Sequence, residues 1–172
     1  MKDRLNALDV ALNNELKERE FYLRHATRTK NPVGAAMFRQ IAAEELDHYE
    51  RLTALREAWE AKKQWPETVP LKVNRTVVKD VLKEALRRAV GAPAGDADDR
   101  EALKTAIAFE ARGTEFYAGL RDQVADPREK AFFDLLASIE HEHYVSLKDT
   151  EEYLNDPAGW FRKTDRGGLD GA

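Results

Sequence analysis

The second half of the chain repeats the first at a constant offset of 95 residues, without a gap. The offset lays Pro127 on Pro32 and "EFY" at 115–117 on "EFY" at 20–22. It also pairs Glu110 with Glu15, Glu140 with Glu45, and His143 with His48. Each half therefore supplies a glutamate and, thirty residues later, Glu-x-x-His. Internal duplication is the simplest account, so whatever unit one half forms, the other forms as well. A single Glu-x-x-His is weak in a chain this rich in glutamate. Two in register, each with its upstream glutamate, are strong.

The repeated unit is helical. Helix formers dominate, and the valine, isoleucine and threonine clusters that mark strands are nearly missing, so the chain reads as all-α. Apolar residues recur at helical spacing through Leu5, Leu8, Leu12 and Tyr22, then through Phe38, Ile41, Leu52, Leu55 and Trp59. The pattern predicts long helices over about 3–29 and 32–63, and in the second half over about 99–124 and 127–155. Asn31–Pro32 and Asp126–Pro127 separate the members of each pair, a capping side chain followed by the imino acid that suits a first helical turn. Such short connections make each pair antiparallel neighbours.

Between the pairs lie a proline-bearing extended stretch, "QWPETVPLKVNRT", a short amphipathic helix, "VVKDVLKEALRRA", and a loop, "GAPAGDADD". A helix of 27 residues is about 40 Å long, and about twelve extended residues span that distance. The link is thus long enough to return the chain to its starting end. The expected architecture is a four-helix bundle over residues 1–156, two antiparallel helix pairs joined by a long crossover that contains a short helix. Residues 157–172 are expected to leave the helical pattern at Pro157 as a tail whose Trp160 and Phe161 pack on the bundle or a second subunit.

With 172 residues the chain has room for one core. Charges of both signs are scattered, with a net charge of −4 and no basic run to follow a phosphate backbone, which argues against nucleic acid. No apolar run reaches membrane-spanning length, and "MKDRLNALDV" lacks the apolar stretch of a secretory signal, so a cytoplasmic protein with no membrane partner is expected. Cysteine is absent, which excludes disulfides, thiolate zinc and cysteine-held iron within this chain. Any metal must rest on carboxylate oxygen and imidazole nitrogen.

The paired residues continue the apolar stripes. Glu15 follows Leu8 and Leu12, and Glu110 follows Leu103 and Ile107. Glu45 and His48 interrupt Ile41 to Leu52, while Glu140 and His143 interrupt Leu136 to Leu147. Residues three apart on a helix lie about 60° apart, so each Glu-x-x-His can share one ion. Burying bare carboxylates costs several kcal/mol each even after relaxation. Four ionised carboxylates with two neutral imidazoles carry four negative charges, which two divalent cations cancel. Carboxylates with one imidazole per ion suit iron, with manganese the second choice. In "SIEHEHYVSL" (138–147) the repeat aligns His141 and Glu142 with Leu46 and Asp47, and on a helix His141 points about 160° away from His143. His25, near the end of the first helix, is expected as a surface cation suited to the helix dipole.

These residues resemble the ferritin-like di-iron carboxylate proteins, in which a Glu from each of two helices joins Glu-x-x-His from each of the other two. The similarity is greatest to the rubrerythrin group, through "ALNNELKEREFY" with "MFRQIAAEELDHYERL", and "AIAFEARGTEFY" with "FFDLLASIEHEHYVSL". It covers about residues 5–154. The resemblance implies two iron ions per chain, with Glu15 and His48 as terminal ligands of one and Glu110 and His143 of the other, bridged by Glu45 and Glu140. It implies that Tyr22 and Tyr117 lie beside the centre, where each can bond and orient a carboxylate.

The implied activity is reduction of hydrogen peroxide in oxidative-stress defence, and oxygen is the rival oxidant. Because rubrerythrins proper carry a cysteine-bound rubredoxin iron and this chain has no cysteine, the reductant is expected to be a separate electron-donor protein. A homodimer suffices for that chemistry. Ferroxidation and storage in a ferritin-type cage, or a di-iron oxygenase, are the alternatives. One departure stands out: the family places a further glutamate one turn after the third-helix ligand, where this chain has Gly113. The equivalent place in the first helix is Glu18, a candidate seventh carboxylate.

Overall fold

The computed structural model describes residues 2–62, 75–92 and 94–167. They form α1 (Lys2–Arg28), α2 (Pro32–Lys62), α3 (Val78–Arg88), α4 (Ala97–Gln123), α5 (Pro127–Asn155) and α6 (Pro157–Gly167). All regular structure among the described residues is helical. Helix α1 packs along α2 and α4 along α5, and contacts of α2 with α5 and of α1 with α4 close the bundle.

The helix ends follow from local chemistry. Asn31 Oδ1 accepts the Val33 and Gly34 N–H groups at 2.9 and 3.1 Å, and Asp126 Oδ1 accepts that of Arg128 at 2.8 Å. Helix α4 begins a little before the apolar stripe because Asp96 and Asp99 form a reciprocal capping box, with bonds of 2.7 and 3.1 Å. Arg28, at the end of α1, reaches the buried Asp99 at 2.8 Å and ties the two helix ends together. The expected crossover helix is α3, which buries Val78, Leu82 and Leu86. Apart from Arg75 and Thr76, the stretch "QWPETVPLKVNRT" lies outside the described residues.

The tail departs from expectation: Pro157 opens a helix rather than ending one. Asp156 Oδ1 accepts the Gly159 N–H at 2.9 Å and the Asp156 carbonyl accepts that of Trp160 at 2.9 Å. The acid-then-proline start of α5 is thus used again. Trp160 and Phe161 pack edge-on against Tyr153 of α5, with centroids 6.1 and 6.0 Å away. The last residues, 168–172, lie outside the description.

The interior consists of two apolar clusters. One gathers Tyr22 of α1, Ile41 of α2, Leu103 of α4 and Leu147 of α5, with the apolar face of α3. The other gathers Leu8 of α1, Leu52 and Leu55 of α2, Tyr117 of α4 and Leu136 of α5. Along α1 and α5 the second cluster is met first, whereas along α2 and α4 the order is reversed. Each pair is therefore antiparallel. Helix α2 ends where the second cluster lies and α4 starts beside the first, so the connection between them crosses the bundle.

Candidate metal centre

On every long helix, the residues between the two clusters are the paired glutamates and histidines. Glu15, Glu45, His48, Glu110, Glu140 and His143 are each no more than 2% exposed. His48 Nδ1 lies 3.2 Å from Glu15 Oε2, 3.1 Å from Glu45 Oε2 and 3.4 Å from Glu140 Oε1. His143 Nδ1 lies 3.4 Å from both Glu45 Oε1 and Glu110 Oε2. The two rings stack at an angle of 18° with centroids 6.1 Å apart.

Two groups of four residues result, each offering atoms within 4.8 Å of one another: Glu15, Glu45, His48 and Glu140, and Glu45, Glu110, Glu140 and His143. Glu45 and Glu140 belong to both. The two oxygens of Glu45 face different histidines, so that this carboxylate is common to both groups.

The unmet bonding in this cluster fits a metal. Glu45 Oε1, Glu110 Oε2, both oxygens of Glu140 and Nδ1 of His143 are buried without a hydrogen-bond partner. Buried polar atoms are nearly always bonded, so such a concentration needs an explanation. The donor set answers it, since carboxylate oxygens and neutral imidazoles are what hard and borderline divalent cations take.

Left to themselves, the groups would take up protons. Burial, then the neighbouring Glu45 charge, pushes Glu15 well above the usual carboxylate range, and burial with Glu140 does the same to Glu110. Burial would raise Glu45 too, but the adjacent imidazoles reverse the sign and hold it low. Burial would lower both histidines, yet the carboxylates, led by Glu45 at His48 and Glu110 at His143, raise them.

Both tyrosines reach across the repeat. The Tyr22 hydroxyl donates to Glu110 Oε1 and the Tyr117 hydroxyl to Glu15 Oε1. Burial and those same carboxylates push both phenols up, so they remain protonated donors.

One contact has no precursor in the sequence reading. Glu44 Oε2 lies 2.7 Å from His143 Nε2, on the side of the ring away from the cluster. Burial would raise this carboxyl, but the bond and charge of His143 outweigh it, helped by Thr76 and Gln40, and hold it at about 2. The repeat could not find Glu44, because its partner at the same offset is the apolar Ile139.

Glu18 is half-buried and belongs to neither group. It lines a cavity of about 550 Å³ between α1 and α4, together with Asn14, Arg112 and Phe116, that reaches Glu15 and Glu140. Burial and the surrounding glutamates push its carboxyl up to about 10. Gly113 lies on the same wall, and a Cβ there would stand 2.8 Å from Glu140 Oε2. The Glu140 carboxylate thus lies in the space that a side chain at 113 would enter.

The other histidines stand apart. His141 is exposed and stacks on Tyr144 at 6.0 Å, and Glu142 pairs with Lys79 at 3.7 Å. His25 corrects the expectation of a surface cation: it is partly buried against Phe21 at 4.3 Å, and burial with Arg28 and Arg24 lowers its pKa. Among the described residues, no helix is long and apolar enough to cross a membrane.

A family model described as Rubrerythrin matches residues 6–91, half of the chain, and takes in Glu15, Glu45 and His48. No curated protein matches, and no solved structure does.

Proposed function

The chain belongs to the rubrerythrin family, and from that premise we propose that its buried cluster is a di-iron centre that reduces hydrogen peroxide with electrons from a separate donor protein. The observation that carries the reading is the overlap of two four-residue groups on Glu45 and Glu140. In it, Glu15 and His48 complete one metal position, and Glu110 and His143 complete the other. Manganese is the second choice of metal.

When bound, the paired ions supply two electrons and stabilise the charge that develops as the O–O bond breaks. Peroxide, two electrons and two protons give two waters, and the donor protein restores the electrons. The chain's own residues prepare this reaction. Tyr117 and Tyr22 fix the outer oxygens of Glu15 and Glu110. The apolar clusters close the site along the helices on either side. The cavity beside Glu18 and Gly113 admits a small molecule as far as Glu15 and Glu140.

The test is stopped-flow mixing of anaerobically loaded ferrous protein with peroxide and with oxygen in parallel. Faster oxidation by peroxide is expected. Oxidation by oxygen at an equal or greater rate would contradict the peroxide assignment, and uptake of iron far beyond two ions per chain would favour storage.

A further inference from the structure

Resting on the di-metal reading above, we propose that Glu44 is a positioning residue for His143, that it links this ligand to the crossover helix α3, and that it makes the two metal positions unequal. Glu44 Oε2 accepts the Nε2–H of His143 at 2.7 Å. With Nε2 so held, Nδ1 is the nitrogen turned towards Glu45 and Glu110, each at 3.4 Å, and the one that would be left to a metal. An imidazole with one nitrogen held by a carboxylate has its tautomer and ring direction set in advance, and its free nitrogen is the more basic for it.

Glu44 is itself held. Its other oxygen accepts the Gln40 Nε2–H at 2.7 Å and the Val77 backbone N–H at 3.1 Å. Val77 is the residue just before α3, where the backbone N–H groups of a helix start have no partner within the helix. One carboxylate therefore joins α2, the entry to α3 and the α5 ligand.

The other half lacks this arrangement. Offset by 95 residues (139 − 44 = 95), the equivalent place is Ile139, buried and apolar. The six paired ligands obey the repeat, whereas this supporting group does not. His143 has a charged, anchored partner behind it, and no carboxylate stands at the corresponding place for His48.

The experiment is anaerobic titration of the metal-free chain with Co²⁺, followed by its visible absorption, and separately with Fe²⁺, for the parent protein and for Glu44→Gln and Glu44→Ala. The parent is expected to bind two ions with distinguishable affinities. Removing Glu44 should weaken one of them by about 10–100-fold and leave the other within about twofold. Glu44→Gln, which keeps the size and an acceptor oxygen, should fall between. Amide exchange at residues 77–80 should slow on metal binding in the parent and not in Glu44→Ala. Equal weakening of both ions, or a lower melting temperature with unchanged affinities, would overturn the proposal and leave Glu44 a fold-stabilising group. Failure of the parent to bind two ions would instead overturn the di-metal reading.

Discussion

Each carboxylate and imidazole at the centre is stable only in company. Glu15, Glu110, His48 and His143 all have pKa values raised by the fold, and Glu18 is pushed up to about 10. A raised group keeps its proton in the folded chain after the unfolded chain has released it. Stability is therefore present below the ordinary values, 4.5 for Glu and 6.5 for His, and is lost as the pH climbs towards the raised ones. Glu44 and Glu45 act in the opposite sense, and only below 4.5. The metal-free chain should be most stable near pH 5 and melt progressively lower up to about pH 9, while the loaded protein should not. Melting curves with and without chelator across that range test this, and a flat profile for the metal-free chain would contradict it. The burial and gathering of the six paired side chains were legible because the repeat marks paired positions and the apolar stripe says that they face the core. Glu44 was not, because a residue used once leaves no echo at the same offset.

At the scale of the helix, starts were legible and their reuse was not. Asn31–Pro32 and Asp126–Pro127 announce α2 and α5, whereas Asp156–Pro157 carries the same signal at a place where the apolar helical pattern stops. The glycine-rich residues beyond it suggested a tail, yet the cap at Asp156 and the packing of Trp160 and Phe161 on Tyr153 outweigh that local bias. Gly113 is a second case in which tertiary structure overrides propensity. Glycine inside a helix costs about 1 kcal/mol relative to alanine, but a methyl group at this place would meet the Glu140 carboxylate. Gly113→Ala should leave the metal-free protein as stable as before or up to about 1 kcal/mol more so, while weakening metal binding by about tenfold or more through Glu140. Thermal melting and anaerobic Co²⁺ titration separate the two effects, and unchanged affinity would show that Glu140 yields without consequence.

For the molecule as a whole, duplication explains why polar residues can occupy the middle of a core. Each half brings three of the clustered glutamates and histidines, the two halves meet as antiparallel pairs, and apolar clusters close off the site on either side. The crossover was legible as a link long enough to span the bundle. That it also reaches His143, through Val77 and Glu44, depends on contacts between elements far apart in sequence, which no local pattern records. The central claim is that these residues hold two ions in the register set by the repeat. Metal analysis after anaerobic ferrous loading tests it most directly, comparing the parent chain with His143→Ala and His141→Ala. Two irons per chain are predicted for the parent and for His141→Ala, and one for His143→Ala. Equal loss in the two variants, or a parent that retains no iron, would contradict the account.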